Sequence, residues 1–142
     1  MKKMLMFWIT LLVIIGSMLT VTACSGNPSA SLVGTWKLIS YGSPASPTPA
    51  VPDVDASVIF GSDGAISGNV GCNSFNGNYK VDGETVTFGA IASTLMACAD
   101  PIAQQEGMVF NVFVNTATFK LDSNTLSIIS SDGNSVVVFE RK

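Results

Sequence analysis

From residue 32 onward, apolar residues recur in short bursts at every second position, with polar residues between them. Leu32-Val33-Gly34-Thr35-Trp36-Lys37-Leu38-Ile39 places Trp36 and Leu38 on one face of a strand and Thr35 and Lys37 on the other. Three times the chain then runs strand, Asp-Gly, strand: Val58–Phe60 to Ile66–Val70 across Asp63-Gly64, Asn78–Val81 to Glu84–Phe88 across Asp82-Gly83, and Leu126–Ser130 to Ser135–Glu140 across Asp132-Gly133. Asp-Gly supplies the positive φ angles of tight hairpin turns. Asp122-Ser123-Asn124 makes a fourth turn, joining Thr118–Leu121 to Leu126–Ile129. One segment breaks the period. Asp100-Pro101 reads as a helix start, with Asp as N-cap and Pro at the first helical position, and Ile102, Val109, Phe110, Phe113 and Val114 follow at helical spacing. The pattern predicts a mainly β (α+β) domain over residues 32–142. It is a curved antiparallel sheet or half-barrel of about eight strands, with one helix near residues 101–114 covering an opening. Gln104 and Gln105 are expected on the accessible flank of that helix.

Between the first two strands lies Gly42-Ser43-Pro44-Ala45-Ser46-Pro47-Thr48-Pro49-Ala50-Val51-Pro52-Asp53. Four prolines in nine residues withhold ladder donors, so residues 42–53 read as a loop of polyproline II character. A tolerated surface insertion is the favoured reading, since doubling a loop costs only ~0.6 kcal/mol of closure entropy. A partner-binding loop is the alternative.

The first residues follow another logic. Met1-Lys2-Lys3 precedes an apolar run from Met4 to Gly16, and Val21-Thr22-Ala23-Cys24 closes the segment. Two lysines, an apolar core and small residues before a cleavage point make residues 1–23 a secretory signal peptide. The cysteine after that point resembles the lipobox of bacterial lipoproteins, in which the thiol receives a diacylglyceryl group. Competing readings are an uncleaved membrane anchor, since Met4–Ala23 is long enough to span a bilayer, and a chance cysteine. Residues 24–31 then form a lipidated tether, Ser25-Gly26-Asn27-Pro28-Ser29-Ala30-Ser31 being short and flexible. The expected address is the cell envelope, outside the cytoplasm. In a two-membrane cell Ser25 after the cysteine suggests the outer membrane; otherwise the site is the outer face of the plasma membrane.

Removing residues 1–23 leaves 119 residues, one domain, with five basic and ten acidic side chains. A net charge of −5 argues against nucleic acid as a partner and supplies no polybasic patch for anionic lipid. The chain has no histidine, which removes Ser-His-Asp and Cys-His catalysis and histidine metal sites. No P-loop, dinucleotide fingerprint or metal-spaced cysteine cluster is present, and no cofactor or metal is expected. Asp63, Asp82, Asp122 and Asp132 read as turn formers.

With Cys24 acylated, Cys72 and Cys98 remain as an even pair in an oxidising compartment. A disulfide would close a loop of about 27 residues and contribute ~3.5 kcal/mol in the chain-entropy model. Two reduced thiols are the rival reading. Around these cysteines stand the chain's most distinctive words, Ile66-Ser67-Gly68-Asn69-Val70-Gly71-Cys72-Asn73-Ser74-Phe75-Asn76-Gly77-Asn78-Tyr79 and Ser93-Thr94-Leu95-Met96-Ala97-Cys98, followed by Glu106 and Phe110. They resemble the signature of the META domain family, that of the HslJ heat-shock lipoprotein. The Leu32-Gly34-Trp36-Leu38 opening and the Leu126–Phe139 hairpin extend the resemblance over nearly the whole mature chain.

The resemblance implies a β-rich envelope protein with one helix and no agreed reaction. The motif residues Gly71, Cys72, Asn73, Phe75, Tyr79, Ser93, Thr94, Met96 and Cys98 then form a structural or binding set. Phe75, Tyr79 and Phe110 read as core, Asn73 as a turn residue, and Ser93, Thr94 and Met96 as cleft or core. The expected function is a non-catalytic binding or stress-protective domain that engages an envelope protein or an apolar ligand. The alternative is a hydrolase or isomerase using Asp100 and Glu106 with Ser93 or Thr94.

Overall fold

The computed structural model describes residues 32–142. The signal peptide, Cys24 and the tether lie outside the described residues. In chain order the elements are β1 (Gly34–Ser43), β2 (Ser46–Pro49), β3 (Ser57–Phe60), β4 (Ala65–Asn69), β5 (Ser74–Asp82), β6 (Thr85–Phe88), β7 (Ala92–Ser93), α1 (Ile102–Val112), β8 (Thr116–Asp122), β9 (Thr125–Ile129) and β10 (Val136–Arg141). Eight of the strands close an antiparallel barrel in the order β1-β3-β4-β5-β6-β8-β9-β10, with β10 returning to β1. Closure leaves the ring without a free edge. Two short strands lie off the ring: β2 on β1 and β7 on β5.

The alternation seen in the sequence fills the barrel. Trp36, Leu38, Val58, Phe60, Ile66, Phe75, Tyr79, Val86, Phe88, Leu126, Ile128, Val137 and Phe139 are all buried. The parity of β1 changes once. Leu38 pairs with Phe139 and Ser40 with Val138, so Ile39 is an extra residue in a bulge. Tyr41 rather than Ser40 therefore turns inward, and Ile39 is left 41% exposed. The three Asp-Gly turns carry their glycines at positive φ, with Gly64 at 81°, Gly83 at 58° and Gly133 at 72°.

The proline stretch is not the unpaired loop expected for residues 42–53. It folds back as a hairpin, with Ser43 opposite Ser46, Gly42 opposite Pro47, Tyr41 opposite Thr48 and Ser40 opposite Pro49. The Ala50 N–H donates to the Ile39 carbonyl at 2.8 Å. With a period of two, Ser46 and Thr48 face β1 in the same sense, while Pro47 and Pro49 occupy positions whose N–H would point away. Prolines are tolerated on that outer edge.

The helix also starts differently from expectation. Its N-cap is Pro101, without a side-chain cap, rather than Asp100. The Ala99 carbonyl accepts from the Ile102 and Ala103 N–H groups, so backbone alone makes the first turn, and the Asp100–Pro101 peptide is cis. At the other end Phe113 is the C-cap, its N–H donating to Val109 and Phe110 carbonyls. Asn115 then takes a left-handed φ of 58°. The turn carries Val114 off the apolar stripe, and it is 55% exposed.

Val109, Val112 and Phe113 plug the barrel opening, and none is more than 2% exposed. Phe113 stacks on Phe88 at 4.7 Å between centroids and lies 6.0 Å from Phe75 and 6.4 Å from Phe139. At the opposite end Trp36 Nε1–H donates to the Leu32 carbonyl at 2.8 Å, with the Arg141 guanidinium 4.2 Å from the ring centroid. Strand directions thus sort the molecule into two ends. The start of β1, the end of β10 and the β3–β4, β5–β6 and β8–β9 turns share one end. The helix, residues 70–73, residues 89–101 and the β9–β10 turn share the other.

Candidate functional site

Continuing the stripe of Val109, Val112 and Phe113 back by three or four residues lands on Gln105 and Glu106. Both are buried, Gln105 completely. Contrary to the expectation of an accessible flank, Gln105 turns inward and its amide bridges two loops. Nε2–H donates to the Val70 carbonyl at 2.7 Å, and Oε1 accepts from the Val51 N–H at 2.7 Å, which ties the proline hairpin to the helix. Glu106 takes three donors from one loop. Its Oε2 accepts from the Cys72 N–H at 3.0 Å and the Asn73 N–H at 2.7 Å, and its Oε1 accepts from Asn73 Nδ2–H at 2.7 Å.

Asn73 passes the connection onward. Its Oδ1 accepts from Thr94 Oγ1–H and the Met96 N–H, both at 2.8 Å, and Nδ2–H also reaches the Met96 carbonyl at 3.3 Å. Thr94 Oγ1 accepts from the Ser74 N–H at 3.2 Å. The Cys72–Cys98 disulfide, with Cα atoms 6.2 Å apart, joins the same two loops covalently. Among the described residues no buried side-chain polar atom lacks a partner. Gly71 is required by this closeness: a Cβ there would sit 2.9 Å from Glu106 Cβ and 3.1 Å from the Ile102 carbonyl. The network is a clamp on the helix.

The structure therefore brings Gly71, Cys72, Asn73, Thr94, Cys98 and the Met96 backbone together around Glu106. Phe75 lies beneath them, its ring 5.5 Å edge-on to Phe110. Tyr79 belongs elsewhere. It packs edge-on to Phe60 at 4.9 Å and donates its hydroxyl to the Gly61 carbonyl at 2.8 Å, toward the opposite end. Burial there raises the Tyr79 pKa above the ordinary phenol value, and the negative charge of Asp63 adds to the rise. Asp100 is exposed and has no part in the clamp. The Thr94 hydroxyl donates to an amide oxygen rather than to a carboxylate, so nothing in the clamp activates it as a nucleophile. Among the described residues no three carboxylates or thiols cluster as metal ligands.

Beside the other half of the helix the barrel wall opens. The pairing of β6 with the β8 side ends at Phe88, whose N–H donates to the Asn115 carbonyl, while the chain beyond it stays on β5 through the Gly89 N–H and β7. Between that break and the helix end lies a cleft of about 500 Å³ lined by Phe88, Ile91, Ser93, Phe110, Phe113 and Val114. Ser93 belongs to this cleft and not to the clamp. Beyond it, Leu95 is 95% exposed and Met96 58%, although Asn73 holds the Thr94 hydroxyl on one side of Leu95 and the Met96 N–H on the other. On the far flank Asp132 accepts from Ser130 Oγ–H and from Asn134, which hold its carboxyl below the usual carboxylate range.

The class of protein is thus a small closed β-barrel plugged by one helix, with a polar clamp and an adjacent apolar cleft. The model of the META domain matches residues 30–142, and the chain belongs to the META domain family. No curated protein matches it significantly. Among solved structures, a protein from Burkholderia xenovorans is similar at 22% identity and a TM-score of 0.65, covering 82% of this chain and 88% of that one. A second protein solved by NMR matches at 22% identity and a TM-score of 0.63, over 80% of this chain and 93% of the other. A DUF4847 family protein from Bacteroides vulgatus matches at 16% identity and a TM-score of 0.57, over 78% and 94%. At these identities the likeness is one of fold.

Proposed function

We propose that the chain is an envelope lipoprotein, acylated on Cys24, whose META domain is a binding or stress-protective module that carries out no chemistry. The observation that carries this reading is the commitment of Glu106. Among the described residues it is the one buried carboxylate, and three N–H groups occupy its oxygens, so it acts as a structural acceptor. The adjacent cleft is open, mainly apolar and free of charged lining residues, which suits holding a ligand or a segment of another protein. The Val21-Thr22-Ala23-Cys24 pattern supports the anchor. From Cys24 to Leu32 the chain can reach at most about 28 Å. Leu32 adjoins the barrel end opposite the helix, so such an anchor holds that end toward the membrane and presents the cleft away from it.

Intact mass of membrane-extracted protein tests the anchor: it should equal the 24–142 polypeptide plus acyl mass, and Cys24→Ala should block processing. Soluble, unmodified protein in wild-type cells contradicts it. Turnover by the full chain that is lost in Asp100→Asn or Glu106→Gln would overturn the non-catalytic reading.

A further inference from the structure

The charges of the domain are sorted by end. The five basic side chains among the described residues are Lys37, Lys80, Lys120, Arg141 and Lys142. Each lies on the part of its strand nearer the β1 start, or just past β10. None lies in residues 89–115 or in the β9–β10 turn, which frame the cleft. The exposed charges there are carboxylates, Asp100 by the helix start and Asp132 beside the cleft. Asp132 sits in a second depression that shares Val114 and Asn115 with the cleft.

Apolar groups at this end are held in water by design of the backbone. Leu95 projects from a loop fastened on one side through Thr94 and on the other through Met96, with the Cys98 disulfide two residues further on. A floppy loop would fold such a leucine away; this one keeps it presented. Val114 is equally fixed by the helix C-cap and the left-handed Asn115. Pre-set apolar groups cost little ordering when a partner covers them.

We propose that the cleft takes an extended peptide segment of another protein whose apolar side chains enter between β7 and the helix and whose lysine or arginine meets Asp132. This deepens the binding reading above and rests on it. An acyl chain would fill the apolar floor and leave Asp132 unused. A second copy of this chain would bring two acidic cleft ends together, where like charges repel. A basic, apolar segment satisfies both features at once, and β7, a two-residue strand off the closed ring, offers an extended chain a short edge to lie along.

The test uses the full chain in phosphatidylcholine nanodiscs and fluorescent peptides of alternating valine and threonine ending in a lysine pair or a glutamate pair. The lysine peptide is expected to bind about tenfold more tightly, by anisotropy at low salt. Asp132→Asn should remove most of that preference, as should salt near 0.5 M, where charges are screened beyond about 4 Å. Leu95→Ser should weaken the lysine peptide several-fold at unchanged Tm. Equal affinities, no binding of the lysine peptide, indifference to both substitutions, displacement by a fluorescent fatty acid, or self-association that buries the cleft would each overturn the proposal. Acylation of Cys24 and absence of turnover are read by other assays, so a failure here removes the occupant and leaves the binding reading intact.

Discussion

The two halves of α1 are held by opposite physics. Its first half, Gln105 and Glu106, is fastened by hydrogen bonds to loop backbone, with a disulfide closing the loops it grips. Its second half, Val109 to Phe113, is fastened by aromatic and aliphatic packing inside the barrel. The polar half grips the loops that carry the distinctive family words and has no open space of its own. The apolar half adjoins the cleft. The residues that look most like a site are therefore a clamp, and the cleft proposed for a partner is lined mainly by apolar residues such as Phe88, Phe110 and Phe113. Buried polar groups that are fully satisfied specify a unique arrangement, whereas apolar packing supplies most of the free energy.

Several substitutions separate the two halves. The largest effect is expected in the plug: Phe113→Ala should destabilise the domain by ~3–5 kcal/mol in chemical denaturation, because three aromatic neighbours lose their partner. A loss below ~1 kcal/mol would mean that the helix end does not seal the barrel. Reducing Cys72–Cys98 should cost ~3.5 kcal/mol through the loop it closes, seen as a lower Tm with the far-UV spectrum preserved. An unchanged Tm would place the grip in hydrogen bonds alone. Gly107→Ala should stabilise by ~0.5–1 kcal/mol, since helical Gly107 has open space around its Cβ position and alanine lowers unfolded-state entropy. A destabilised variant would show that the exposed side of the helix is constrained. The smallest effect is alkaline. The folded Tyr79 pKa is raised, so the neutral phenol's contribution is present below the ordinary phenol pKa and is lost as pH rises through the folded value. Tyr79→Phe should remove that high-pH component of unfolding while leaving other titrations in place.

Much of the barrel was legible because alternation and turn chemistry agree. Trp36 and Leu38 share a face, the Asp-Gly pairs turn, and the ring has eight strands. What was not legible has physical reasons. The bulge at Ile39 flips parity without any signal in its side chain. The prolines were read as lacking donors, but an edge strand needs donors on one side only. Asp100-Pro101 looked like a helix cap, yet the Ala99 carbonyl makes the first turn. The cysteine pair and the Gly71–Cys98 set were visible as words, but their common partner was not. Gln105 and Glu106 are polar, so an apolar-periodicity argument set them outside the core; extending the Val109–Val112–Phe113 stripe backward would have pointed to them.

The most direct measurement of the clamp is a double-mutant cycle on Glu106→Ala and Asn73→Ala by denaturant unfolding of the full chain. Glu106→Ala leaves three N–H donors without their acceptor, and each buried unsatisfied donor costs ~1–3 kcal/mol. The expected single losses are therefore ~3 kcal/mol for Glu106→Ala and ~2 kcal/mol for Asn73→Ala, with a coupling of ~1 kcal/mol or more because the two share bonds. Additive losses, or a Glu106→Ala protein as stable as the parent, would contradict the assignment of these residues to a structural clamp.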